Sequence, residues 1–552
     1  MKQTLKLALL STLAVLSMHA KKDKDSVLDS INRKVNNINK SVEAYIPIRQ
    51  GNIPYTIPGP GNYRLMENIT YTGSGPAITN TQSNVDIDMN GFTINLGGQG
   101  LVGISSSGSN VQIYNGSIVN GNLAATVADD LIFYAPSISN PFISPNPSTF
   151  NVRTAGISLQ NANNVSLVNL HIDSFLYGIA SANTVGNIYV LNVDTSNGGN
   201  YTVEPNPNPA STPATLLQPL GAGLLVAGSS ISPIMNSLGA FNSQPADPTL
   251  AGFARNIEVV DCNFGDSETR YGAVFISCSD IDVENCVASS GRVATTPTAA
   301  TGSPTGVYLT AQAVYTLINS QFAKITNCQA TTGTTGVGIY WSKGATATDV
   351  NIVDVSHNGI EGLFAYDSYA LNCVASRESD SEQYVFSGRG FLALASSDMI
   401  FDKCIASNFT LAGTPTAAPP RSAAASPAVP NGYGFVVQAS KSCLVNECTA
   451  MNNIGGFLEA PNNPATGAVL FPGGSLLLPA GSLGYGALIT GTSTDFNAFT
   501  KNIAIDNVNS TTEFGTPLNN YNFVSAPWQP VPVSYFPNIN SAGAWSNISI
   551  PY

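Results

Sequence analysis

The chain has 552 residues, of which 10% are charged and 43% are hydrophobic. The charged share lies far below the roughly 25% of an average soluble protein, and the hydrophobic share is sufficient for a large core, so global disorder is excluded. The formal net charge of −12 argues against nucleic acid as a partner, because phosphate binding needs a dense surface of Lys and Arg. Three histidines in the whole chain exclude a metal enzyme with several His ligands.

Residues 1–20 have the order of a secretory signal peptide. Lys2 and Lys6 precede an apolar run over residues 7–16, and small and polar residues follow up to Ala20. This run is short of the roughly 20 residues that span a bilayer. We therefore predict export with cleavage after Ala20, with a retained membrane anchor as the alternative. The mature protein is expected to be secreted or displayed on the cell surface, without a membrane span.

An amphipathic helix is predicted over residues 21–46. Apolar residues recur there at alternating spacings of three and four, and Pro47 interrupts the pattern. These apolar positions are Leu28, Ile31, Val35, Ile38, Val42 and Tyr45. Two interpretations remain open: a single helix packed over the open end of the next domain, or a coiled-coil stalk in a homotrimer.

From about residue 85 the chain repeats a short unit. The unit consists of a glycine, two or three apolar residues, a polar turn, and then a slot in which Asn or a related polar residue precedes a small apolar residue. The leading glycines are Gly156, Gly178, Gly272, Gly306, Gly338, Gly390, Gly434 and Gly456. The slot pairs begin at Asn169, Asn192, Asp261, Asn285, Asn327, Asp354, Asn372, Lys403, Glu447 and Asn507.

The shorter repeat intervals are typical of a solenoid. Gly156 to Gly178 is 22 residues, and Cys262 to Cys286 is 24. The Leu-x-x-Leu-x-Leu frame of leucine-rich repeats is missing, whereas stacked Asn side chains and small interior residues fit parallel coils about 4.8 Å apart. The chain therefore resembles the right-handed parallel β-helix proteins of the pectate-lyase-like superfamily over residues 50–510. The predicted fold is all-β, with the short N-terminal helix in front.

Six of the eight cysteines occupy the apolar position of the slot. They are Cys262, Cys286, Cys328, Cys373, Cys404 and Cys448. Side chains stacked at the strand spacing have Cβ atoms farther apart than the roughly 3.5–4.5 Å of a disulfide. We predict an interior ladder of free thiols rather than a disulfide framework or a metal site.

Long stretches rich in Pro, Ala, Ser and Thr interrupt the coils and are predicted to leave them as surface insertions. They cover residues 134–149, 202–221, 231–250, 297–304, 410–431 and 461–484. If several share one side of the rod, they would form the walls of a groove; the resemblance implies such a groove for an extended glycan. Residues 511–552 are predicted to cap the last coil. Asn115 lies in an Asn-x-Ser triplet, but its place in the slot predicts that it is buried and not glycosylated.

Two charged clusters stand out as candidate catalytic residues. They are Asp266, Glu268 and Arg270, and then Arg377, Glu378 and Asp380. Each cluster begins four residues after its slot cysteine, so both are expected at one corner of the coil. Carboxylates beside arginine would suit a lyase-like site, with calcium required only in that case; the alternative is a solvated turn with weak surface ion pairs.

Two further groups contain side chains that could take part in catalysis. Asp354, His357 and Glu361 lie close in sequence, and His357 is predicted to face inward as a structural residue. Asp129 and Asp130 resemble the paired aspartates of the polygalacturonase branch, but the other motifs of that branch are missing. No catalytic residue of the family can therefore be assigned here, and no cofactor or metal motif is present.

The sequence thus predicts a surface or secreted rod that binds glycan or mediates adhesion without catalysis. One alternative is a polysaccharide lyase or glycoside hydrolase acting on an extended glycan. A second is a structural spike or coat subunit, for which a stable homotrimer without glycan affinity would be diagnostic.

Overall fold

The computed structural model describes most of the coils of the rod and leaves out much of the chain between them. Described are residues 45–97, 102–121, 155–205, 215–228, 252–290, 313–377, 388–409, 432–460, 497–505, 521–523, 533–535 and 547–550, with short breaks at 162, 185, 199, 266–268, 270, 334, 341, 356–357, 364, 395, 439, 441 and 454.

The described strands form a parallel β-helix with two long sheets, which we name sheet A and sheet B. Each coil contributes a strand to sheet B and then one long or two short strands to sheet A, and each strand pairs in parallel with its equivalent in the next coil. The predicted all-β solenoid is confirmed. In the described residues the helical structure is the 3-10 turn Gln50–Asn52.

Sheet A has 26 strands and sheet B has 14. The strands of sheet A are Ile46–Ile48, Gly61–Leu65, Ile69–Thr70, Val85–Asp88, Thr93–Asn95, Ser109–Val119, Asn163–Asp173, Ile188–Ser196, Ala254–Val260, Asn263–Phe264, Cys278–Glu284, Val287–Ser289, Gln321–Thr326, Gln329–Thr331, Thr346–Thr348, Asn351–Val353, Tyr369–Leu371, Val374–Ser376, Ile400–Asp402, Ile405–Ser407, Leu444–Asn446, Thr449–Met451, Ala498–Thr500, Ile503–Ile505, Val533–Tyr535 and Asn547–Ile550. The strands of sheet B are Tyr55–Thr56, Pro76–Asn80, Val102–Ser106, Ala155–Gln160, Tyr177–Ala182, Ala222–Ala227, Tyr271–Ile276, Ala313–Ile318, Thr335–Tyr340, Asn358–Leu363, Arg389–Leu394, Tyr433–Gln438, Gly455–Ala460 and Tyr521–Phe523.

The core lies between the two sheets and runs along the rod. In Asn163–Asp173, buried and partly exposed residues alternate, so Leu167 faces the core and Val168 faces outward. Like residues stack from coil to coil. The ring of Phe435 lies 4.8 Å from that of Phe391 and 5.0 Å from that of Phe457, with the planes nearly parallel.

Left-handed residues turn the chain at the corners of sheet A, which explains the Asn in the repeat. Asn115, Asn169 and Asn192 have φ of 59°, 52° and 49°, a region that Asn tolerates better than most residues. The amide of Asn169 donates to Asn115 (3.1 Å), and that of Asn192 donates to Asn169 (2.9 Å). Asn115 is exposed, so the prediction that it is buried is wrong: the slot residue projects from the corner and the residue after it faces the core.

One slot assignment is shifted by the strand register. The slot position between Asn327 and Asn372 is filled by Asp349 and not by Asp354, because Asn351 pairs with Gln329. Asp354 occupies the turn one strand later, where its backbone N–H donates to Ser376. Asn507 lies outside the described residues, as does Gly306.

Stacked glycines begin the strands of sheet B where the chain closes on the core. A Cβ at Gly390 would lie 2.3 Å from Cβ of Ala406 and 2.5 Å from the carbonyl oxygen of Gly434. Glycine is therefore required by close approach and not by φ. In the coil that starts at Thr335 this position is Gly336, aligned with Gly359, so the assignment of Gly338 is wrong.

The predicted interior thiol ladder is confirmed. All eight cysteines are free and buried. The thiol of Cys328 donates to the carbonyl of Thr326 (3.2 Å), and its sulfur accepts the backbone N–H of Cys286 (3.4 Å). The thiols of all six slot cysteines donate to backbone carbonyl groups inside the rod in this way.

Both ends of the rod extend beyond the predicted limits. Residues 1–44, with the predicted signal peptide and nearly all of the predicted helix, lie outside the described residues. Ile46, the last residue of that predicted helix, is already a strand residue paired with Tyr63. At the other end, Tyr521–Phe523 continues sheet B and Asn547–Ile550 continues sheet A, so the predicted cap contributes strands to both sheets.

The six predicted insertions all join the coil at the edges of sheet B. Residues 134–149, 202–221, 297–304 and 410–431 precede a sheet B strand, and residues 231–250 and 461–484 follow one. Between paired strands of sheet A the described coils keep two-residue turns, such as Asn285 with Cys286. The described part of 202–221 belongs to an antiparallel hairpin of Asn200–Pro205 with Thr215–Leu220.

Candidate functional site

Of the six predicted catalytic residues, the structure places Arg377 alone. Asp266, Glu268, Arg270, Glu378 and Asp380 lie outside the described residues, so their convergence stays a prediction. Arg377 has an exposed fraction of 2%, which does not fit a solvated turn with surface ion pairs.

The guanidinium of Arg377 is held inside the corner by several groups. Its Nε donates to the carbonyl of Val355 (2.9 Å), and its charge lies 5.0 Å above the ring of Phe409. Burial lowers the pKa of Arg377 to about 9; the nearby Asp354 carboxylate opposes this shift and the Arg389 guanidinium adds to it. Arg377 therefore belongs to the same electrostatic environment as Arg389, twelve positions later in the chain.

Arg389 belongs to a polar cluster on sheet B that includes a buried carboxyl group. Ile360 belongs to the hydrophobic core, so the next residue, Glu361, points to the opposite, outer face of the strand. The exposed fraction of Glu361 is nevertheless only 5%. We name this set, Tyr340, Asn358, Glu361 and Arg389, the Glu361 cluster.

Stacking of three coils brings the Glu361 cluster together. Thr335, Asn358 and Arg389 occupy equivalent positions in successive strands. The phenol of Tyr340 donates to Oε2 of Glu361 (3.3 Å), and Nη1 of Arg389 donates to Oδ1 of Asn358 (3.3 Å). Nδ2 of Asn358 is buried and has no hydrogen-bond acceptor at a suitable distance and angle.

Burial dominates the electrostatics of the Glu361 cluster. It raises the pKa of Glu361, although the Asn358 amide, the Arg389 charge and the hydroxyls of Tyr340 and Thr335 all favour the carboxylate. A carboxyl group with a raised pKa beside a phenol and a guanidinium can donate or accept a proton.

Sequence reasoning found only part of this cluster. Glu361 was noted for its neighbourhood to Asp354 and His357, whereas Tyr340, Asn358 and Arg389 carry no local motif. His357 lies outside the described residues. The inward position predicted for it is occupied by Ile352, which aligns with Ala330 and Ala375.

The two sheets differ in the accessibility of their outer faces. The sheet B strands Tyr271–Ile276, Thr335–Tyr340 and Arg389–Leu394 are buried at every residue. Sheet A strands instead alternate buried and accessible residues, and Phe322 and Tyr369 are 49% and 44% exposed. The open face of the described rod is therefore that of sheet A.

The open face of sheet A carries rows of hydrogen-bonding side chains. In one row the carboxylate of Asp194 meets Nδ1 of His171 (2.8 Å) and accepts from the amide of Asn263 (2.9 Å). Between two adjacent rows, Nζ of Lys343 lies 3.5 Å from the carboxylate of Asp367 in the next coil. Such rows hold polar groups at the spacing of the coils, about 4.8 Å.

Across the described residues, no three His, Cys, Asp or Glu side chains are arranged to hold a metal ion. In the same part of the chain there is no helix with the length and apolarity needed to cross a membrane.

Comparison with known proteins agrees with the fold. A family model described as right handed beta helix region matches residues 301–515. No curated protein matches the chain in sequence.

Solved structures with a similar chain path include three kinds of protein. The surface adhesin PfbA of Streptococcus pneumoniae is 9% identical with a TM-score of 0.36, over 73% of this chain and 83% of that one. A PL6 alginate lyase in complex with a trisaccharide is 9% identical with a TM-score of 0.32, over 91% and 86% of the two chains. The Dettilon tailspike protein is 9% identical with a TM-score of 0.32, over 88% and 63%.

Likeness at this level carries no argument about what the chain binds or catalyses. The two parallel sheets show that the described rod has the right-handed parallel β-helix fold, as its repeat predicts, and the family model agrees with that fold over the residues it matches.

Proposed function

We propose that the protein binds an extended glycan outside the cell or at its surface, through the open face of sheet A, and does not cleave it. The observation that supports this proposal is the contrast between the sheets: from Tyr177–Ala182 to Arg389–Leu394 the described strands of sheet B are buried at every residue, and the outer face of sheet A presents polar rows and exposed aromatic rings.

The polar rows offer what a glycan needs for recognition. A sugar has a rim of hydroxyl groups, and carboxylates and amides that already bond to their neighbours, as Asp194 does with Asn263, are held in place before binding. Exposed rings such as Tyr369 can cover the apolar face of a sugar ring. A rigid rod with repeated groups suits a repeating polymer.

The test is affinity electrophoresis of the mature protein against neutral and acidic polysaccharides, with polymer chain length followed in parallel. We expect retardation by at least one polysaccharide without loss of chain length. Tyr369→Ala should weaken retardation, whereas Met66→Ala should not: Met66 is a similarly exposed apolar side chain (40%) that follows a strand near the N-terminal end of the described rod. Equal retardation of both variants would contradict a role for this face.

Other outcomes would replace the proposal. A stable trimer that no polysaccharide retards would favour the structural spike or coat subunit. Shortening of any polysaccharide would favour an enzyme.

The Glu361 cluster supports the enzyme as the second candidate function. A buried carboxyl group with a raised pKa, hydrogen-bonded to Tyr340, has the properties of a proton-transfer residue. If the wild-type protein shortens a glycan, Glu361→Gln should abolish the cleavage. Tyr315→Phe is the matched control, because that phenol bonds to core carbonyls.

A further inference from the structure

Phe322 occupies a backbone position that neighbouring coils give to other residue types. This position lies near the start of a sheet A strand and is left-handed in seven successive coils. Along the rod it is held by Asn256, Asp280, Phe322, Gly344, Asp367, Asp398 and Ser442.

The left-handed region suits Asn, Asp and Gly and is an outlier for a bulky side chain. Phe322 has φ of 51°, and the aligned Asp280 and Asp367 have 55° and 46°. A residue chosen for backbone stability alone would follow its neighbours. Outliers of this kind are concentrated at functional sites.

The ring of Phe322 is displayed on the open face. The side chain is 49% exposed, although both strand neighbours, Gln321 and Ala323, are buried. In the next coil Gly344 makes room for the ring, since a Cβ there would lie 3.0 Å from Cδ1 of Phe322.

The surroundings of Phe322 are polar, with more acidic than basic groups. Lys324 is the next outward residue of its strand, and Asp280 and Asp282 lie in the preceding coil. In the following coils Lys343 pairs with Asp367. Exposed apolar patches of several hundred Å² mark protein–protein contacts, and a single ring is far smaller than such a patch. A single ring within a polar rim instead matches a sugar, which has one apolar face and hydroxyl groups around it.

We propose that Phe322 is the stacking platform of a subsite for an uncharged sugar. Tyr369, two coils further on and 44% exposed, would hold a second ring about 10 Å along the rod axis. The excess of carboxylates disfavours an anionic sugar. This inference rests on the proposed glycan binding by sheet A and names its ligand class and principal residue.

The decisive variant is Phe322→Asn, which restores the residue type of the column. Affinity for the tightest-binding neutral hexasaccharide among cellohexaose, mannohexaose and chitohexaose should fall roughly tenfold by calorimetry. The denaturation midpoint should stay equal or rise, since Asn accepts the left-handed backbone. The matched control, Asp398→Asn, changes the same column three coils away and should alter neither quantity.

The outcomes separate this inference from the proposed function. If the wild-type protein binds no glycan, both fail. If it binds a neutral glycan and Phe322→Asn binds equally well, or loses affinity together with stability, only the assignment of Phe322 is overturned. Tighter binding of hexagalacturonate than of every neutral hexasaccharide would overturn the ligand class.

Discussion

The phenol of Tyr340 donates a hydrogen bond to Oε2 of Glu361 from the neighbouring coil, at 3.3 Å. Both side chains are buried, with exposed fractions of 1% and 5%. Burial raises the pKa of each, and the carboxylate of Glu361 further raises that of Tyr340. Protonation of this pair is thus coupled to the folded state.

Stability should depend on pH through Glu361. Folding raises the pKa of Glu361, so its contribution is fully present below the ordinary glutamate pKa of about 4.3 and is lost as pH rises through the folded-state value. Urea midpoints measured from about pH 5 upward should therefore fall more steeply for the wild-type protein than for Glu361→Gln. Glu447→Gln is the control: Lys501 lowers the pKa of this carboxyl group, so its contribution to stability is fully present above the ordinary glutamate pKa and changes with pH only in more acidic solution than the range measured. Identical slopes for wild type and Glu361→Gln would contradict the assignment.

The glycine column should tolerate no side chain. Gly390→Ala places a Cβ 2.3 Å from Cβ of Ala406 and should lower the free energy of unfolding by roughly 1–3 kcal/mol. Gly59→Ala meets nothing within 4 Å and should stay within about 0.5 kcal/mol of wild type. Denaturant titration of both variants measures the difference, and comparable losses would count against steric exclusion.

Two substitutions of Asn169 should separate the backbone contribution of the exposed asparagine ladder to stability from its side-chain contribution. Asn169→Ala loses two amide hydrogen bonds and places alanine at φ 52°, a left-handed conformation that alanine tolerates less well than asparagine. We therefore expect the free energy of unfolding to fall by about 1–3 kcal/mol. Asn169→Gly loses the same bonds but keeps the favourable φ, and should lose less. The denaturation midpoints of the two variants provide the comparison. A glycine variant no more stable than the alanine variant would show that the backbone term is negligible.

The thiols should be unreactive in the folded protein. Burial raises the pKa of Cys278, and the thiolate is the reactive form. A chromogenic disulfide reagent at about pH 8 should label none of the eight cysteines until denaturant is added. Rapid labelling of any cysteine in the native protein would contradict the burial.

The interior thiol ladder should tolerate a hydrocarbon side chain in place of a cysteine. Val350 fills, in the preceding coil, the position of Cys373, so Cys373→Val should change the free energy of unfolding by less than about 1.5 kcal/mol. Thermal or denaturant unfolding measures this change. A larger loss would mean that the hydrogen bond from the thiol to the carbonyl of Ala347 is needed.

The sequence predicted the repeat well and its register less well. Asn169, Asn192 and Asn285 were placed correctly, because a left-handed corner selects Asn and the residue after it must fit the core. Asp354 was misplaced, since the next turn of the same coil is also left-handed, with φ of 62°, and is also followed by a buried valine. Two turns with one local signature cannot be told apart without the strand pairing.

The Glu361 cluster, in contrast to the repeat, has no local signal in the sequence. Tyr340, Glu361 and Arg389 meet because parallel coils stack at about 4.8 Å, although 49 residues separate the first from the last. Coil lengths differ along the chain, so the spacing in sequence gives no indication of the distance in space.

Period, alternation and corner residues by themselves determined that this protein is a β-helix with free interior thiols, because those properties depend on contacts that recur in every coil. The tertiary structure decided which face of the rod is open, which carboxyl group is buried, and that Phe322 stands at a left-handed position that the coils on either side give to Asp280 and Gly344. These features depend on how particular coils align, and a one-residue change of register moves every side chain of a strand to the other face.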